Sequence, residues 1–554
     1  MNIRFIEGQG ADPEQERRDA LAKVAAIVAL DAIAGPEALD TVDYRSAGKT
    51  LVIGSSFDVL PWADRLAAAL PVTVLLTDCD GKPPLRIYPV FDARAIVLSG
   101  WLGAFRVTWQ APGRAPEQGR FDLVLDLGAS PQIAAHQPPH GYYAPGADEA
   151  ARAAAVDALA GMVGDFEKPK YFAYKERLCA HSRNQRTGCN ACVEVCSARA
   201  IEGAGDLIKV NPYLCAGCGA CTTVCPSGAL GYAYPSAAQT GERLKSLLKA
   251  WFEAGGGEPA VLLHAEGGAA LLANLPDPVP ARVLPVALHH AASTGIDVWL
   301  TALAYGAAGV TVLMTDDDAP QYTAALDAQM RIAQSVLDGL GYAGPHLQLL
   351  RASSPRELAV ALRHAPRGEV PQQRAGYNVA ADKRNTLDYA LDHLLRHAPQ
   401  QVPEIPLPPG APFGALQVNT ATCSLCMSCV GACPSAALQD GQNLPQLRFI
   451  EKNCVQCGLC ADTCPENAIT LLPRMSFAET RKQPVVLNET QPFHCIRCSK
   501  PFGTVRMIEG MLARLSGHPA FAGNLDRMRM CGDCRVIDMM QPQDEMTVTQ
   551  MRRR

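Results

Sequence analysis

The sequence has few aromatic residues and no strong excess of either charge. Aromatic side chains make up 6% of its 554 residues, and 50 basic residues stand against 55 acidic ones, for a net charge of -5. No block of lysines or arginines occurs apart from Arg552 to Arg554, and proteins that follow a phosphate backbone need such a block. We therefore expect no nucleic-acid partner.

A convincing membrane span is also lacking. The longest uncharged apolar run, Val298 to Met314, approaches the length of a span. Gly306 and Gly309 divide it into a helix-like half and a β-rich half, and Asp297 precedes it. This pattern favours a buried helix, a turn and a strand over a membrane segment.

The N-terminal region does not have the pattern of an export signal. Two arginines precede an apolar stretch, which loosely resembles a twin-arginine signal, but acidic residues come before them and Asp31 interrupts the stretch. An amphipathic surface helix from about Pro13 to Ile33 is the better interpretation. We expect a cytoplasmic protein.

Motifs for substrate chemistry are missing too. The sequence contains no G-x-G-x-x-G fingerprint, no phosphate-loop lysine and no recognisable nucleophile-base set. We expect no catalytic site on this chain and no small-molecule substrate.

Cysteine, in contrast, is abundant, with 21 residues. The chain is too large for a small disulfide-stabilised protein, and the cysteine spacings are those of metal sites. Three quartets follow the pattern C-x2-C-x2-C-x3-C-P, and a fourth departs from it by a nine-residue gap after Cys179 and by Ser197 in place of proline. The quartets are Cys179, Cys189, Cys192 and Cys196; Cys215, Cys218, Cys221 and Cys225; Cys423, Cys426, Cys429 and Cys433; Cys454, Cys457, Cys460 and Cys464.

This spacing is typical of paired [4Fe-4S] clusters. Three thiolates two residues apart bind one cluster, and the fourth ligates the neighbouring cluster. Gly219 and Gly458 let backbone amides approach the cluster sulfides. Structural zinc is the alternative, and paired motifs of this kind disfavour it. Four clusters are predicted, with the ligand sets Cys179, Cys189, Cys192, Cys225; Cys215, Cys218, Cys221, Cys196; Cys423, Cys426, Cys429, Cys464; and Cys454, Cys457, Cys460, Cys433.

Residues 171–235 and 416–475 each resemble a bacterial two-cluster ferredoxin. The resemblance implies a compact pseudo-two-fold fold of short hairpins and two small helices, in which paired clusters transfer single electrons. The widened gap before Cys189 holds "AHSRNQRTG", with Arg183 and Arg186. This insertion is either a docking surface or, more in keeping with loops in general, a tolerated surface insertion.

Two further C-x2-C pairs lie near the C-terminus, Cys495 with Cys498 and Cys531 with Cys534. No third cysteine follows in register, so we predict a zinc-ribbon-like site with four thiolates, and mononuclear iron is the competing interpretation. The intervening segment has helical periodicity. Cys79 stands alone and is predicted to be an inert thiol at a strand end.

The regions without clusters alternate β-rich and helical runs, which predicts two open, doubly wound α/β domains with parallel strands. The second resembles the delta-subunit domain of methyl-viologen-reducing hydrogenases. It lacks that family's cysteines and has Asp316 to Asp318 where ligands are expected, so docking is its predicted use. Adjacent His289 and His290 should diverge and bind no metal.

The chain is therefore predicted to be a multidomain α/β and α+β protein. A helix and six prolines between Pro399 and Pro412 precede the second ferredoxin, as a semi-rigid spacer or as a segment that wraps the surface. The predicted parts are an N-terminal helical segment, 1–48; an α/β domain, 49–165; ferredoxin domain 1, 166–237; the hydrogenase-delta-like domain, 238–368; a helix and proline-rich linker, 369–415; ferredoxin domain 2, 416–478; and the zinc-ribbon-like domain, 479–554.

This order of parts resembles bacterial iron-sulfur proteins encoded beside molybdenum- or tungsten-dependent formate dehydrogenases. The resemblance implies electron transfer between a dehydrogenase, with formate dehydrogenase as the expected partner, and an acceptor. Two alternatives remain open: an accessory factor in maturation of the dehydrogenase, and a subunit of a larger oxidoreductase complex.

Overall fold

The computed structural model describes residues 13–38, 40–79, 83–111, 113–442, 444–517 and 525–540. The arginines Arg552 to Arg554 and the rest of 541–554 lie outside this range. Two compact units are present. The first unit comprises Met1–Glu176, Asn190–Ala204 and Ile208–Gln401, and the second comprises Arg177–Cys189, Gly205–Leu207 and Val402–Arg554.

The N-terminal helix is present but is not amphipathic in the expected sense. Pro13–Asp31 packs on the helix Ala237–Glu253 through small residues such as Ala22 and Ala26. The opposite side leaves Leu21 66% exposed. Small side chains allow the two helix axes to approach closely, so the buried face is apolar without being bulky.

A five-stranded parallel sheet forms the core of the first α/β region. Its strands are buried almost throughout, as expected when helices or loops cover both faces of a parallel sheet. The expected parallel strands beginning at Thr50, Val72 and Leu123 are confirmed. In spatial order the strands are Val90–Asp92, Val72–Leu76, Thr50–Gly54, Leu123–Leu127 and Tyr142–Tyr143.

One β-rich run of this region, predicted to be a parallel strand, lies in an antiparallel sheet. Ala95–Ser99 pairs antiparallel with Phe105–Gln110, which pairs antiparallel with Glu117–Phe121. Exposed and buried residues alternate along Phe105–Gln110, a pattern that suits a sheet with one solvated face. Within the segment 1–48, predicted as an N-terminal helical segment, Thr41–Ser46 is a strand paired with Gly164–Pro169.

The second α/β region contains a four-stranded parallel sheet, and the four predicted strands are confirmed. The run from Val298 to Met314 is a buried helix followed by a buried strand, as predicted. Among the described residues, no helix is long and apolar enough to cross a bilayer. In spatial order the strands are Val283–Ala287, Ala260–His264, Gly309–Met314 and Leu347–Arg351.

Helices cover these sheets. The predicted helix after Lys383 packs against Ile296–Ala304. The helices of the first unit are Pro13–Asp31, Ser56–Leu66, Glu149–Ala160, Ala191–Glu194, Ala220–Val224, Ala237–Glu253, Glu266–Ala273, Ile296–Ala304, Pro320–Gly339, Pro355–Arg363 and Lys383–Arg396; the remaining short strands near the first cysteine cluster are Phe172–Tyr174, Ile201–Ala204, Leu207–Val210 and Leu230–Tyr232.

The second unit is built from small sheets around cysteines. The proline-rich segment belongs to it, because Glu404–Pro406 pairs with Ile469–Ser476, which also pairs with Gly414–Val418. Ile405 is buried, so this part of the segment joins the sheet instead of acting as a free spacer. The other elements are the sheet Leu438–Asp440, Gln446–Phe449 and Val485–Glu489; the hairpins Ser182–Arg183 with Arg186–Thr187 and Pro492–His494 with Pro501–Thr504; and the helices Ser428–Ala432, Leu459–Asp462, Val505–Leu515 and Gly532–Met540.

Candidate iron-sulfur and metal centres

The second unit brings its first predicted ligand set around one cavity. Cys423, Cys426, Cys429 and Cys464 line one pocket. Leu425 and Met427 alternate with these cysteines in left-handed backbone conformations, with φ of 56° and 61°. Left-handed residues between cysteines curl the chain around the cavity, and here the chain does so without glycine.

The second predicted set of this unit surrounds a separate cavity. Cys433, Cys454, Cys457 and Cys460 line a second pocket. Gly458 has a left-handed conformation, with φ of 84°, which glycine adopts without strain. The two pockets are neighbours, since the charge of Cys429 in the first contributes to raising the pKa of Cys460 in the second. Crossed quartets of this kind place two four-sulfur pockets side by side.

The first unit assembles a third set. Four sulfurs lie close enough to influence one another electrostatically, those of Cys215, Cys218, Cys221 and Cys196. The charge of Cys192 also contributes to raising the pKa of Cys221. Cys196 follows the short helix Ala191–Glu194, Cys215 and Cys218 precede the helix Ala220–Val224, and Gly217 and Gly219 are left-handed. The exchange of Cys196 into its partner's set stays a prediction.

The fourth predicted set is divided. Cys179 and Cys189 belong to the second unit, whereas Cys192 and Cys225 belong to the first. Their joint role as ligands of one cluster stays a prediction.

The insertion before Cys189 is a short hairpin whose turn residues Asn184 and Gln185 are left-handed. Arg183 donates hydrogen bonds to the carbonyl oxygens of Cys179, Ser182 and Asp206, so it fixes the hairpin's own backbone. Arg186 is exposed.

This hairpin packs on the cysteine-rich part of the second unit. Ala180, Ala432 and Leu459 form a small buried apolar cluster, against which Cys189 and Cys457 pack. The charge of Cys189 contributes to raising the pKa of Cys457. The insertion is therefore in contact with this part of the chain, which the interpretation as a tolerated surface loop did not anticipate.

Backbone amides also point at the predicted ligands. The N–H groups of Ala200, Leu230 and Ala468 donate to the sulfurs of Cys196, Cys225 and Cys464 at 3.2, 3.4 and 3.3 Å. Each donor lies four or five residues after the last cysteine of a quartet. The repeated turn into an apolar residue in the sequence, such as "CPSGAL", is the signal that reveals these donors.

Burial makes these thiols dependent on a cation. Burial of the sulfur raises the pKa of Cys218 and of Cys457 to about 11, and that of Cys429 to about 12. An uncompensated thiolate is costly in such surroundings, and bound iron supplies the positive charge that stabilises it. Four converging sulfurs with amide donors behind them fit a [4Fe-4S] cluster.

The C-terminal cysteines also come together. Cys495, Cys498, Cys531 and Cys534 place their sulfurs within 4.8 Å of one another. Four sulfurs at about 2.3 Å from a zinc ion lie roughly 3.8 Å apart, so the set fits a tetrahedral metal. Of the second cysteine pair, Cys531 directly precedes the helix Gly532–Met540 and Cys534 lies in its first turn. These four residues can hold a metal ion.

Hydrogen bonds prepare one of these sulfurs as a thiolate. Burial acts to raise the pKa of Cys495, but backbone N–H donors, with that of Cys531 the strongest, lower it to about 6. Backbone donors to sulfur are a regular feature of cysteine knuckles that bind metal, because they disperse the thiolate charge. The donor set therefore suits a metal held by thiolates.

The acidic residues of the second α/β region are used within the protein. Arg351 lies 3.1 Å from Asp316, the carboxylate of Asp318 accepts from the backbone N–H of Thr315, and the Asp317 carbonyl oxygen contacts His136. Separately, His289 and His290 have different neighbours, as predicted. His289 stacks on Tyr171, and His290 contacts Tyr322 and Asp318.

Two segments match a known domain family, the 4Fe-4S dicluster domain. They cover residues 185–229 and 422–469. The chain is an iron-sulfur protein with two ferredoxin-type domains. The second match contains all eight cysteines of its region, whereas the first leaves Cys179 outside. No curated protein matches the chain.

Proposed function

We propose that this protein carries electrons through four [4Fe-4S] clusters between a dehydrogenase and an acceptor, with formate dehydrogenase as the donor. The observation that carries the proposal is the pair of neighbouring four-cysteine pockets in the second unit, which repeats the pattern of the ferredoxin-type domain in the first. When bound, a cluster of this kind accepts and releases one electron.

The residues that would hold the clusters are the four predicted sets. In the second unit these are Cys423, Cys426, Cys429 with Cys464 and Cys454, Cys457, Cys460 with Cys433. In the ferredoxin-type domain of residues 185–229 and its preceding cysteine they are Cys215, Cys218, Cys221 with Cys196 and Cys179, Cys189, Cys192 with Cys225.

The hairpin before Cys189 brings predicted ligands of two clusters together within the second unit. It places Cys189 beside Cys457, and the two sulfurs influence each other electrostatically. Both cysteines pack against the small apolar cluster that contains Leu459.

The C-terminal cysteines are proposed to bind one zinc ion with a structural role. All four coordination positions are taken by thiolates, which leaves no position open for catalysis. Such a site stabilises a small domain with little core of its own, and the described part of 492–540 has few buried apolar residues besides Ile508.

Formate is proposed as the electron source on the resemblance in domain order. The test is anaerobic: formate and a trace of the native host's formate dehydrogenase are added to the purified protein, and the cluster absorbance is followed. We expect the cluster absorbance to bleach at a rate proportional to the amount of dehydrogenase added. Clusters that dithionite reduces and formate does not would overturn formate dehydrogenase as the donor.

A further inference from the structure

Lys168 extends from the first α/β region to the backbone of a predicted cluster ligand. It lies on the strand Gly164–Pro169, which pairs with Thr41–Ser46. Its ammonium nitrogen donates hydrogen bonds to the carbonyl oxygens of Tyr213 at 3.0 Å and of Cys215 at 2.7 Å. Cys215 is the first cysteine of its quartet. The ammonium group therefore contacts the loop in which this cysteine motif begins.

Aromatic residues hold the ammonium group and the loop in place. The nitrogen of Lys168 lies 5.1 Å from the centre of the Tyr44 ring, a distance at which a cation is attracted to the face of a ring. The Tyr44 hydroxyl donates to the same Tyr213 carbonyl oxygen at 2.8 Å, and Trp101 stacks on the Tyr213 ring with centroids 4.8 Å apart. These contacts fix both the lysine and the loop.

The neighbours of Lys168 suit a protonated side chain. A lysine ammonium group has three N–H donors and no acceptor, and carbonyl oxygens can only accept. Burial lowers the pKa of Lys168 to about 8, and the charge of Cys215 acts against this lowering, so the side chain is mostly protonated at pH 7. The first α/β region thus places one positive charge at this loop.

The charge also lies near the sulfur of Cys215. By covalent geometry, the sulfur of a cysteine is within about 5 Å of its own carbonyl oxygen. The Lys168 nitrogen lies 2.7 Å from that oxygen, so it is within about 8 Å of the sulfur. Burial raises the pKa of the Cys215 thiol, and the charge of Lys168 acts against that rise. Salt screens a partly buried pair of charges much less than an exposed pair.

We propose that the positive charge of Lys168 raises the reduction potential of one cluster, the one held by Cys215, Cys218, Cys221 and Cys196. Each electron taken up adds one negative charge to the bound cluster, and a nearby cation stabilises the reduced form more than the oxidised form. The first α/β region thereby supplies a residue that tunes electron transfer in the ferredoxin-type domain. The inference rests on the proposed cluster at these four cysteines.

The test compares Lys168→Met with the wild-type protein in a redox titration followed by electron paramagnetic resonance. Methionine keeps much of the length of the side chain and removes its charge. We expect the cluster to become about tenfold harder to reduce, which for one electron is a potential lower by about 59 mV. The other clusters should keep their potentials. The signal of the affected cluster is identified by its loss in Cys218→Ser.

Lys245→Met is the matched control. The Lys245 ammonium group also donates to two carbonyl oxygens, those of Gly376 and Tyr377, and lies 5.9 Å from the centre of the Tyr305 ring. These partners belong to no cysteine motif. We expect this variant to leave every potential unchanged. Lys168→Arg keeps the charge and should keep a potential close to that of the wild type.

A further variant, Lys168→Gln, decides the matter if Lys168→Met fails to fold, since glutamine retains N–H donors for the carbonyl oxygens without the charge. A bound cluster that keeps its wild-type potential in the uncharged variants would overturn the role of Lys168. A potential lowered as much in Lys168→Arg as in Lys168→Met would also overturn it, because the charge would then not be the cause. A wild-type protein with no cluster at these cysteines would instead refute the proposed function.

Discussion

Leu459 lies directly against Gly188, at the end of the hairpin before Cys189. A methyl group on Gly188 would stand 2.5 Å from Leu459 Cγ and 2.9 Å from the carbonyl oxygen of Ala180. No real side chain tolerates such distances, so glycine is required here by space. This contact holds the hairpin on the cysteine-rich part of the second unit.

Replacing Gly188 with alanine should therefore displace the hairpin. Overpacking of this kind costs about 1–3 kcal/mol, and each 1.4 kcal/mol is about a factor of ten in an equilibrium. We expect trypsin to cleave after the exposed Arg186 about tenfold faster in Gly188→Ala. Gly431→Ala is the control, since a methyl group there meets nothing within 4 Å. Equal cleavage rates in the two variants would contradict the contact.

Cys457→Ser should remove one cluster and leave the others. Serine is a poor ligand for iron in such a site, and Cys457 lines the pocket that it shares with Cys433, Cys454 and Cys460. We expect iron and acid-labile sulfide to fall by about a quarter, and electron flow from the donor to the acceptor to be severed. Cys79→Ser is the control, because Cys79 lies outside every quartet. Full electron flow in Cys457→Ser would contradict electron transfer through the clusters and would favour an accessory role in maturation.

The C-terminal metal should be separable from the iron. In Cys534→Ser we expect one zinc per chain to be lost by elemental analysis, with residues 492–540 open to protease and the iron content unchanged. Asp533→Asn is the control, because its ion pair with Lys500 is exposed to solvent and contributes little to stability. Iron found in place of zinc in the wild-type protein would refute the assignment.

Acid should weaken the first unit through its buried histidines. Burial, the largest cause, lowers the pKa of His346 below its usual value of about 6.5, so the unfolded chain binds a proton at a higher pH than the folded one. The stabilisation is complete above pH 6.5 and is lost as the pH falls below it. Burial also lowers the pKa of His264.

The measurement is thermal unfolding of the wild type and of His346→Gln at about pH 7.5 and pH 5.5. We expect the midpoint of the wild type to fall with acid. That of the variant should fall less, but it should still fall, since the buried His264 remains. The exposed His364→Gln serves as the control for the loss of a histidine. A wild-type midpoint independent of pH in this window would contradict the account.

The cysteine pockets could be predicted from the sequence because their ligands are local. The spacing around Cys423 and Cys454 determines which sulfurs can come together. Buried strands such as Gly309–Met314 could be predicted because their apolar residues are uninterrupted. The exchange of Cys196 into the set of Cys215 followed from the same rule, and the structure brings these residues together.

What the sequence could not show depends on contacts between distant segments. Ala95–Ser99 has the composition of any strand, and its antiparallel partner is fixed by the hairpin that follows it. The sequence of the hairpin at 182–187 is that of an ordinary loop, and its contact with Leu459 is visible only in the structure. Ser197 and Tyr322 are in contact although they lie 125 residues apart, and no local pattern connects them.

The central claim is that the chain holds four one-electron centres. The most direct measurement is an anaerobic reductive titration of the fully iron-loaded protein, with the electrons taken up counted per chain and then recovered by reoxidation. We predict reversible uptake of four electrons, one for each cluster. Uptake that stops below four at full iron content would contradict the account.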